Sequence, residues 1–204
     1  MNHATLVSIS GPIAAGKTTL TQQLATLLDA QIRCENFAAN PYLEQFYIDP
    51  PKHALQTQLH FLADRFEQLR LDFWPRQGII LTDYIFEQDQ LFAELTLDQQ
   101  QMAQYYQATQ QLHGKIKLAD VVVYLSANPN VLLARIRDRG RDMEQHIVQD
   151  YVERLAAAYD HLMEEYDAAP VIVVNSETTD IRQHAAVKRI AEQIKPHLAT
   201  HARI

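Results

Sequence analysis

Gly11-Pro12-Ile13-Ala14-Ala15-Gly16-Lys17-Thr18 satisfies the pattern G-x-x-x-x-G-K-[ST] at every fixed position. The spacing serves one task. The two glycines let backbone N–H groups converge on phosphate oxygens, and a helix starting near Lys17 aims its positive end at the same anion. Lys17 is expected to reach the β- and γ-phosphates and Thr18 to ligate Mg²⁺, with the ATP-binding stretch continuing to Thr19. The chain has only 5 glycines and spends two here, which makes a chance match improbable. An apolar, β-branched run at 6–10 precedes the loop and a helical pattern at Lys17–Leu28 follows it, the context that this reading requires.

Working outward, short apolar runs at 79–82, 121–125 and 171–174 read as further buried strands, with a weaker one at 31–35. Helices are expected at 52–74, 98–113, 130–139, 143–166 and 180–195. In the first of these, Leu55, Leu59, Leu62, Phe66, Leu69 and Phe73 recur at steps of three and four, and Pro75 and Gly78 end the pattern. Strands alternating with helices imply an α/β, three-layer sandwich of the P-loop NTPase type. Its parallel sheet, of about five strands, would be flanked by helices in a single domain over 1–204. Short Gln clusters at 99–101 and 110–111 read as solvated helix faces.

Composition narrows the function. A chain of 204 residues, 47% hydrophobic and 21% charged, can bury a core. Its net charge of −7 argues against a general grip on nucleic acid. One cysteine, Cys34, excludes an internal disulfide and a Cys-based metal site, and it reads as packed inward rather than as a nucleophile. The 9 histidines lack metal-binding spacing. No apolar run is long enough for a membrane span, and Met1-Asn2-His3-Ala4 has no secretory pattern, so a cytoplasmic protein with no membrane partner is expected.

Two further features bear on a triphosphate site. Asp83 closes the strand at 79–82; such a residue often caps a helix, but beside a phosphate loop it is expected to hold the metal. Arg135, Arg137, Arg139 and Arg141 fall within seven positions of an otherwise acidic chain, with Gly140 breaking the helical pattern. They read as a lid, near 135–144, whose guanidinium groups stabilise a transferring phosphoryl group, or else as basic residues meeting a helix dipole.

Taken together, residues 6 to about 174 resemble the deoxynucleoside kinases, specifically the bacterial deoxyadenosine/deoxycytidine kinase-like branch. Cys34-Glu35-Asn36 resembles the segment carrying the family's general base, which implies that Glu35 takes the proton of a sugar 5′-hydroxyl. Asn40-Pro41-Tyr42-Leu43-Glu44-Gln45-Phe46-Tyr47 and Gln56-Thr57-Gln58-Leu59 resemble its nucleoside-binding helices. The resemblance implies that Tyr47 contacts the 3′-hydroxyl and that Gln58 makes a two-point contact to the base, an amide having both a donor and an acceptor. It further implies that Arg65 and Asp89 form a base-facing pair, that Phe92 stacks on the base, that Asp83 contributes to the substrate site, and that Glu144 contacts the 3′-hydroxyl. Taken singly, Tyr47 and Phe92 fit core aromatics and Gln58 fits an exposed helix face.

Three positions depart from the family pattern. Asp83-Tyr84-Ile85 carries Tyr where an Arg commonly follows the acid, and a hydroxyl replaces neither its charge nor its fork. Met143-Glu144 keeps one of two usual acids, and the aromatic common next to the family's Glu-Pro motif is absent, Asn36-Phe37 following Glu35. The reading is ATP-dependent phosphorylation of a deoxynucleoside for nucleotide salvage. Glu35, Lys17, Arg135, Arg139 and Arg141 would be catalytic, and the resemblance implies a homodimer. Two alternatives stand beside it: a nucleoside monophosphate kinase of the thymidylate kinase type, and a catalytically silent P-loop subunit.

Overall fold

The computed structural model describes residues 3–112 and 114–198. Five strands form one wholly parallel sheet: β1 (Thr5–Ser10), β2 (Gln31–Arg33), β3 (Ile79–Thr82), β4 (Val121–Ser126) and β5 (Val171–Asn175), in the order β2-β3-β1-β4-β5. The three central strands are the β-branched runs that sequence marks most clearly, because both of their faces are covered. β2 and β5 lie at the edges, where Ile32 and Val173 are exposed.

Eight α-helices are described: α1 (Lys17–Leu28), α2 (Leu43–Ile48), α3 (Pro50–Leu69), α4 (Gln88–Thr96), α5 (Gln99–Gln110), α6 (Pro129–Arg139), α7 (Gln149–Glu165) and α8 (His184–Ile194). Leu20 and Leu24 of α1 and Val187 and Ile190 of α8 pack with Val7, Ile9 and Val123 on one side of the sheet. Leu91 of α4 and Leu155 and Tyr159 of α7 pack with Val122 and Tyr124 on the other. Each such fully buried aliphatic stabilises the fold by roughly 1.5–3 kcal/mol. Among the described residues no helix is long and apolar enough to cross a membrane.

Several expected boundaries move. The helix expected over 52–74 starts earlier, with prolines in its first turn, and stops at Leu69. Leu71–Phe73 is a separate 3-10 turn, Phe73 is exposed, and Trp74 is buried in extended backbone with its indole N–H donating to the Ala4 carbonyl at 2.9 Å. The helix expected over 98–113 is capped by Asp98 in a reciprocal box with Gln101 and ends at Gln110; His113 lies outside the described residues. The stretch 143–166 is not one helix. A 3-10 turn at Asp142–Glu144 precedes α7, and Glu144 is turned inward. The expected helix at 180–195 begins at His184, and the weak strand at 31–35 ends at Arg33, which leaves Glu35 beyond the sheet. Helix α4 has no counterpart among the elements expected from periodicity: its buried face includes Gln88 and Asp89, so the apolar stripe is interrupted.

Candidate active site

The loop between β1 and α1 is shaped by backbone conformations that few residues adopt. Gly11 has φ of +142°, Ala14 +63° and Gly16 +103°. A Cβ on Gly11 would lie 2.5 Å from the Leu125 carbonyl oxygen, so the loop passes against β4 where only hydrogen fits. Lys17 Nζ arches back to donate to the carbonyls of Gly11 at 2.7 Å and Pro12 at 3.0 Å. Burial pushes its ammonium down to about 8, although Asp83 and Glu35 pull the other way.

Asp83 follows β3, the strand between β1 and β2 in the sheet. One carboxylate oxygen accepts the Thr18 hydroxyl at 2.6 Å, and the other accepts the backbone N–H of Glu35 at 2.8 Å. A hydroxyl and a carboxylate so placed are hard oxygen donors of the kind Mg²⁺ takes while phosphates and water fill its remaining positions. The Glu35 carboxylate in turn accepts from Arg65, whose other terminal nitrogen donates to Asp89. Arg65 and Asp89 are each 2% exposed, and Asp89 sits behind Arg65 rather than on the cavity wall. One buried cation thus serves two carboxylates. Burial works against the Arg65 charge, but Asp89 and Glu35 more than offset it. Burial pushes Asp89 up to about 7, against the pull of Arg65.

These groups open on one cavity of about 490 Å³, which joins the phosphate loop to an acceptor half walled by α2, α3, α4 and α7. Ile13, Ala14, Gly16, Lys17, Thr18 and Thr19 line one end, whereas Gly11, Pro12 and Ala15 shape the loop without facing the cavity. Glu35, Tyr47, Gln58, Arg65, Asp83, Phe92 and Glu144 line the remainder, so residues more than a hundred positions apart in sequence meet here. Gln58 is 3% exposed, so the solvent-exposed alternative for it is set aside.

The arginine cluster divides in two. Arg135, Arg139 and Arg141 line the cavity; Arg137 points into solvent. Arg139 and Arg141 donate to the buried Glu144 at 2.6 and 3.3 Å, and Arg135 is held by the Ser176 hydroxyl and carbonyl at 3.0 and 2.7 Å. Gly140, with φ of +62°, caps α6 and turns the chain back toward Glu144.

Sequence reasoning missed Gln88, Phe61 and Tyr159, which also line the cavity. Tyr159 lies on the α7 face that Tyr151 and Leu155 announce at spacing i, i+4, i+8, a signal that was available. Nothing in the local sequence marks Gln88. Tyr84, where the resemblance implies an Arg, is fully buried. Its hydroxyl donates to Gln68 at 3.0 Å, and its ring lies 5.5 Å from the Arg65 guanidinium, outside the cavity lining. Cys34 is half-buried, and burial pushes its thiol up to about 12, so it is no nucleophile at neutral pH.

Comparison with known proteins gives one family. The deoxynucleoside kinase family matches residues 7–199. A deoxyadenosine kinase from Dictyostelium discoideum is 32% identical over 95% of this chain and 84% of that protein. A deoxyguanosine kinase from Bacillus subtilis is 31% identical over 97% and 98%. Among solved structures, a deoxyadenosine kinase from M. mycoides with the products dCMP and a flexible dCDP bound superposes with a TM-score of 0.81 at 25% identity, covering 94% of this chain and 99% of that one.

Proposed function

The chain belongs to the deoxynucleoside kinase family, and we infer that it transfers the γ-phosphoryl group of ATP to the 5′-hydroxyl of a deoxynucleoside, a step of nucleotide salvage. One observation carries the assignment of roles: Asp83 bonds the phosphate loop through Thr18 and the Glu35 backbone with its two oxygens. Glu35 thereby stands between the donor and acceptor halves of one cavity. There it takes the 5′-hydroxyl proton as that oxygen bonds to the γ-phosphorus and the bond to the β–γ bridging oxygen breaks. Arg65 positions the Glu35 carboxylate. Lys17, Arg135, Arg139 and Arg141 stabilise the charge on the transferring group and on departing ADP. Mg²⁺, held by Thr18 and Asp83, would neutralise charge on the β- and γ-oxygens. Tyr47 and Glu144 hold the 3′-hydroxyl, Phe92 stacks on the base, and Gln58 reads it, with the Arg65–Asp89 pair behind.

The buried pairing of Arg65 supports a nucleoside as acceptor. On that side of the cavity Arg65 is taken by Glu35 and Asp89, and Arg139 and Arg141 are taken by Glu144, whereas a monophosphate kinase needs a cation left for the acceptor's own phosphate. A silent subunit would have no need of a base aligned with a phosphate loop. The same reading includes a single kinase domain over 1–204 with a lid near 135–144, a homodimer formed through α3, and a cytoplasmic location.

The test is a panel of deoxynucleosides and their monophosphates, with ATP or GTP as donor, on wild type and Glu35→Gln. Deoxynucleosides are expected to be consumed, and Glu35→Gln to lower kcat roughly 10²–10⁴-fold while staying folded. Near wild-type rates in the variant would overturn the role of Glu35. Consumption of monophosphates alone would move the assignment to the thymidylate kinase type, and no turnover of ATP would leave the silent subunit.

A further inference from the structure

Gln88 is a buried polar residue, 2% exposed, that the mechanism above does not use. It opens α4, and its side chain lines the cavity. Its amide oxygen accepts the backbone N–H of Ile85 at 3.4 Å and the hydroxyl of Tyr159 at 3.2 Å. A backbone N–H can only donate, so it fixes which end of the amide is oxygen. The amide nitrogen, with two N–H donors, is the end left for the cavity.

Gln58 is oriented by similar logic at the other end of the same helix. The Thr96 hydroxyl gives its one proton to the Phe92 carbonyl at 2.6 Å, so it can only accept from Gln58, which donates at 3.3 Å. That leaves Gln58 one N–H and its carbonyl oxygen for a base edge. Gln88, Phe92 and Thr96 are four residues apart and share one face of α4, with Phe92 midway. Gln88 and Thr96 are separated by eight residues, about 12 Å along the helix. Two amide readers anchored at opposite ends of α4 do not serve one edge of a base. They bracket it.

A pyrimidine gathers its polar groups on one contiguous edge and presents carbon-bound hydrogens on the other. A purine has a second acceptor, the imidazole nitrogen N7, on its far edge. A pyrimidine paired with Gln58 would leave the Gln88 donors desolvated and unmet, at a cost that a purine avoids. Resting on the proposed deoxynucleoside kinase function, we propose that Gln88 donates a hydrogen bond to N7 of the base and makes this site selective for purine deoxynucleosides.

The experiment is a cycle that pairs a protein change with a substrate change. kcat/KM is measured for deoxyadenosine, deoxyguanosine, their 7-deaza analogues (N7 replaced by C–H) and deoxycytidine, on wild type and Gln88→Met. Wild type should favour the purines and lose about tenfold on the 7-deaza compounds. Gln88→Met should lose about tenfold on the parent purines and little more on the 7-deaza analogues, because both changes delete one bond. Losses that multiply would overturn the proposal, since Gln88 would then act on the fold alone. So would a wild type that uses deoxycytidine best. If Gln88→Met does not fold, the wild-type ratio of parent to 7-deaza substrate decides, and a ratio near one overturns the proposal. Tyr159→Phe, which frees one of the two donors holding the amide, should narrow that ratio; an unchanged ratio would count against it. Turnover of no nucleoside at all would overturn the proposed function as well, whereas turnover of all with multiplying losses would remove only the role of Gln88.

Discussion

Within one cavity, the donor half draws on contiguous residues 11–19, whereas the acceptor half draws on side chains from the segment after β2, from α2, α3, α4 and α7, and from the turn at Asp142–Glu144. The first is mainly a backbone device: positive φ angles at Gly11, Ala14 and Gly16 shape the loop, and the side chains of Lys17 and Thr18 complete it. The second is a side-chain device whose centre is a buried cation shared by two carboxylates. A backbone device fails when a conformation is forbidden. A buried ionic one fails when a partner is lost or a proton moves.

That contrast can be broken in four places. Arg65→Met strands Glu35 and Asp89 and is expected to cost about 3–5 kcal/mol in denaturant unfolding. Adding Asp89→Asn should recover part of the loss, and a cost below about 1 kcal/mol would show that the acceptor half does not rest on this network. The second test is pH. With its pKa raised to about 7 in the folded protein, Asp89 keeps a proton that the unfolded chain releases near 3.8. The unfolded state binds fewer protons across that window, so stability falls as pH rises from about 4 to 7, by roughly 4 kcal/mol at most. Asp89→Asn should remove that slope from the stability–pH profile. Third, Gly11→Ala forces a side chain into φ of +142° and against Leu125. A stability loss of roughly 1–3 kcal/mol is expected, with weakened ATP binding by titration and unchanged binding of deoxynucleoside. Weakened nucleoside binding would mean that the halves are coupled. Smallest, Tyr84→Phe removes one hydrogen bond to Gln68, for about 1 kcal/mol. Its kcat should hold, because Tyr84 lies in the core and outside the cavity lining; a fall in kcat would give that position a role in turnover.

The same contrast explains what could be read from sequence. The phosphate loop and its flanking strand and helix are local, and their bounds at Lys17–Leu28 needed no tertiary information. The central strands were legible because burial on both faces makes them uniformly apolar. Helix α4 was not, because Gln88 and Asp89 sit on its buried face, and a periodicity search counts buried polar residues against a helix. The long helix expected over 143–166 failed for a related reason: Glu144 turns inward to meet Arg139 and Arg141, and the chain breaks to let it. Family resemblance supplied Glu35, Gln58, Arg65 and Phe92 as site residues, all of which the fold brings to one cavity. It also paired Arg65 with Asp89, as the fold does, but it did not show that Arg65 holds Glu35 as well, since a bond across 30 positions leaves no trace in local pattern.

Asp83 holds Thr18 with one oxygen and Glu35 with the other. The offset between the phosphate loop and Glu35 is therefore set by the width of a single carboxylate, which works as a spacer gauge as well as a charge. Lengthening the gauge by one methylene, as in Asp83→Glu, keeps every charge and shifts Glu35 against the loop by on the order of an ångström, a displacement that can cost roughly 10²-fold in rate. Tolerance at this position is a matter of length before it is a matter of chemistry.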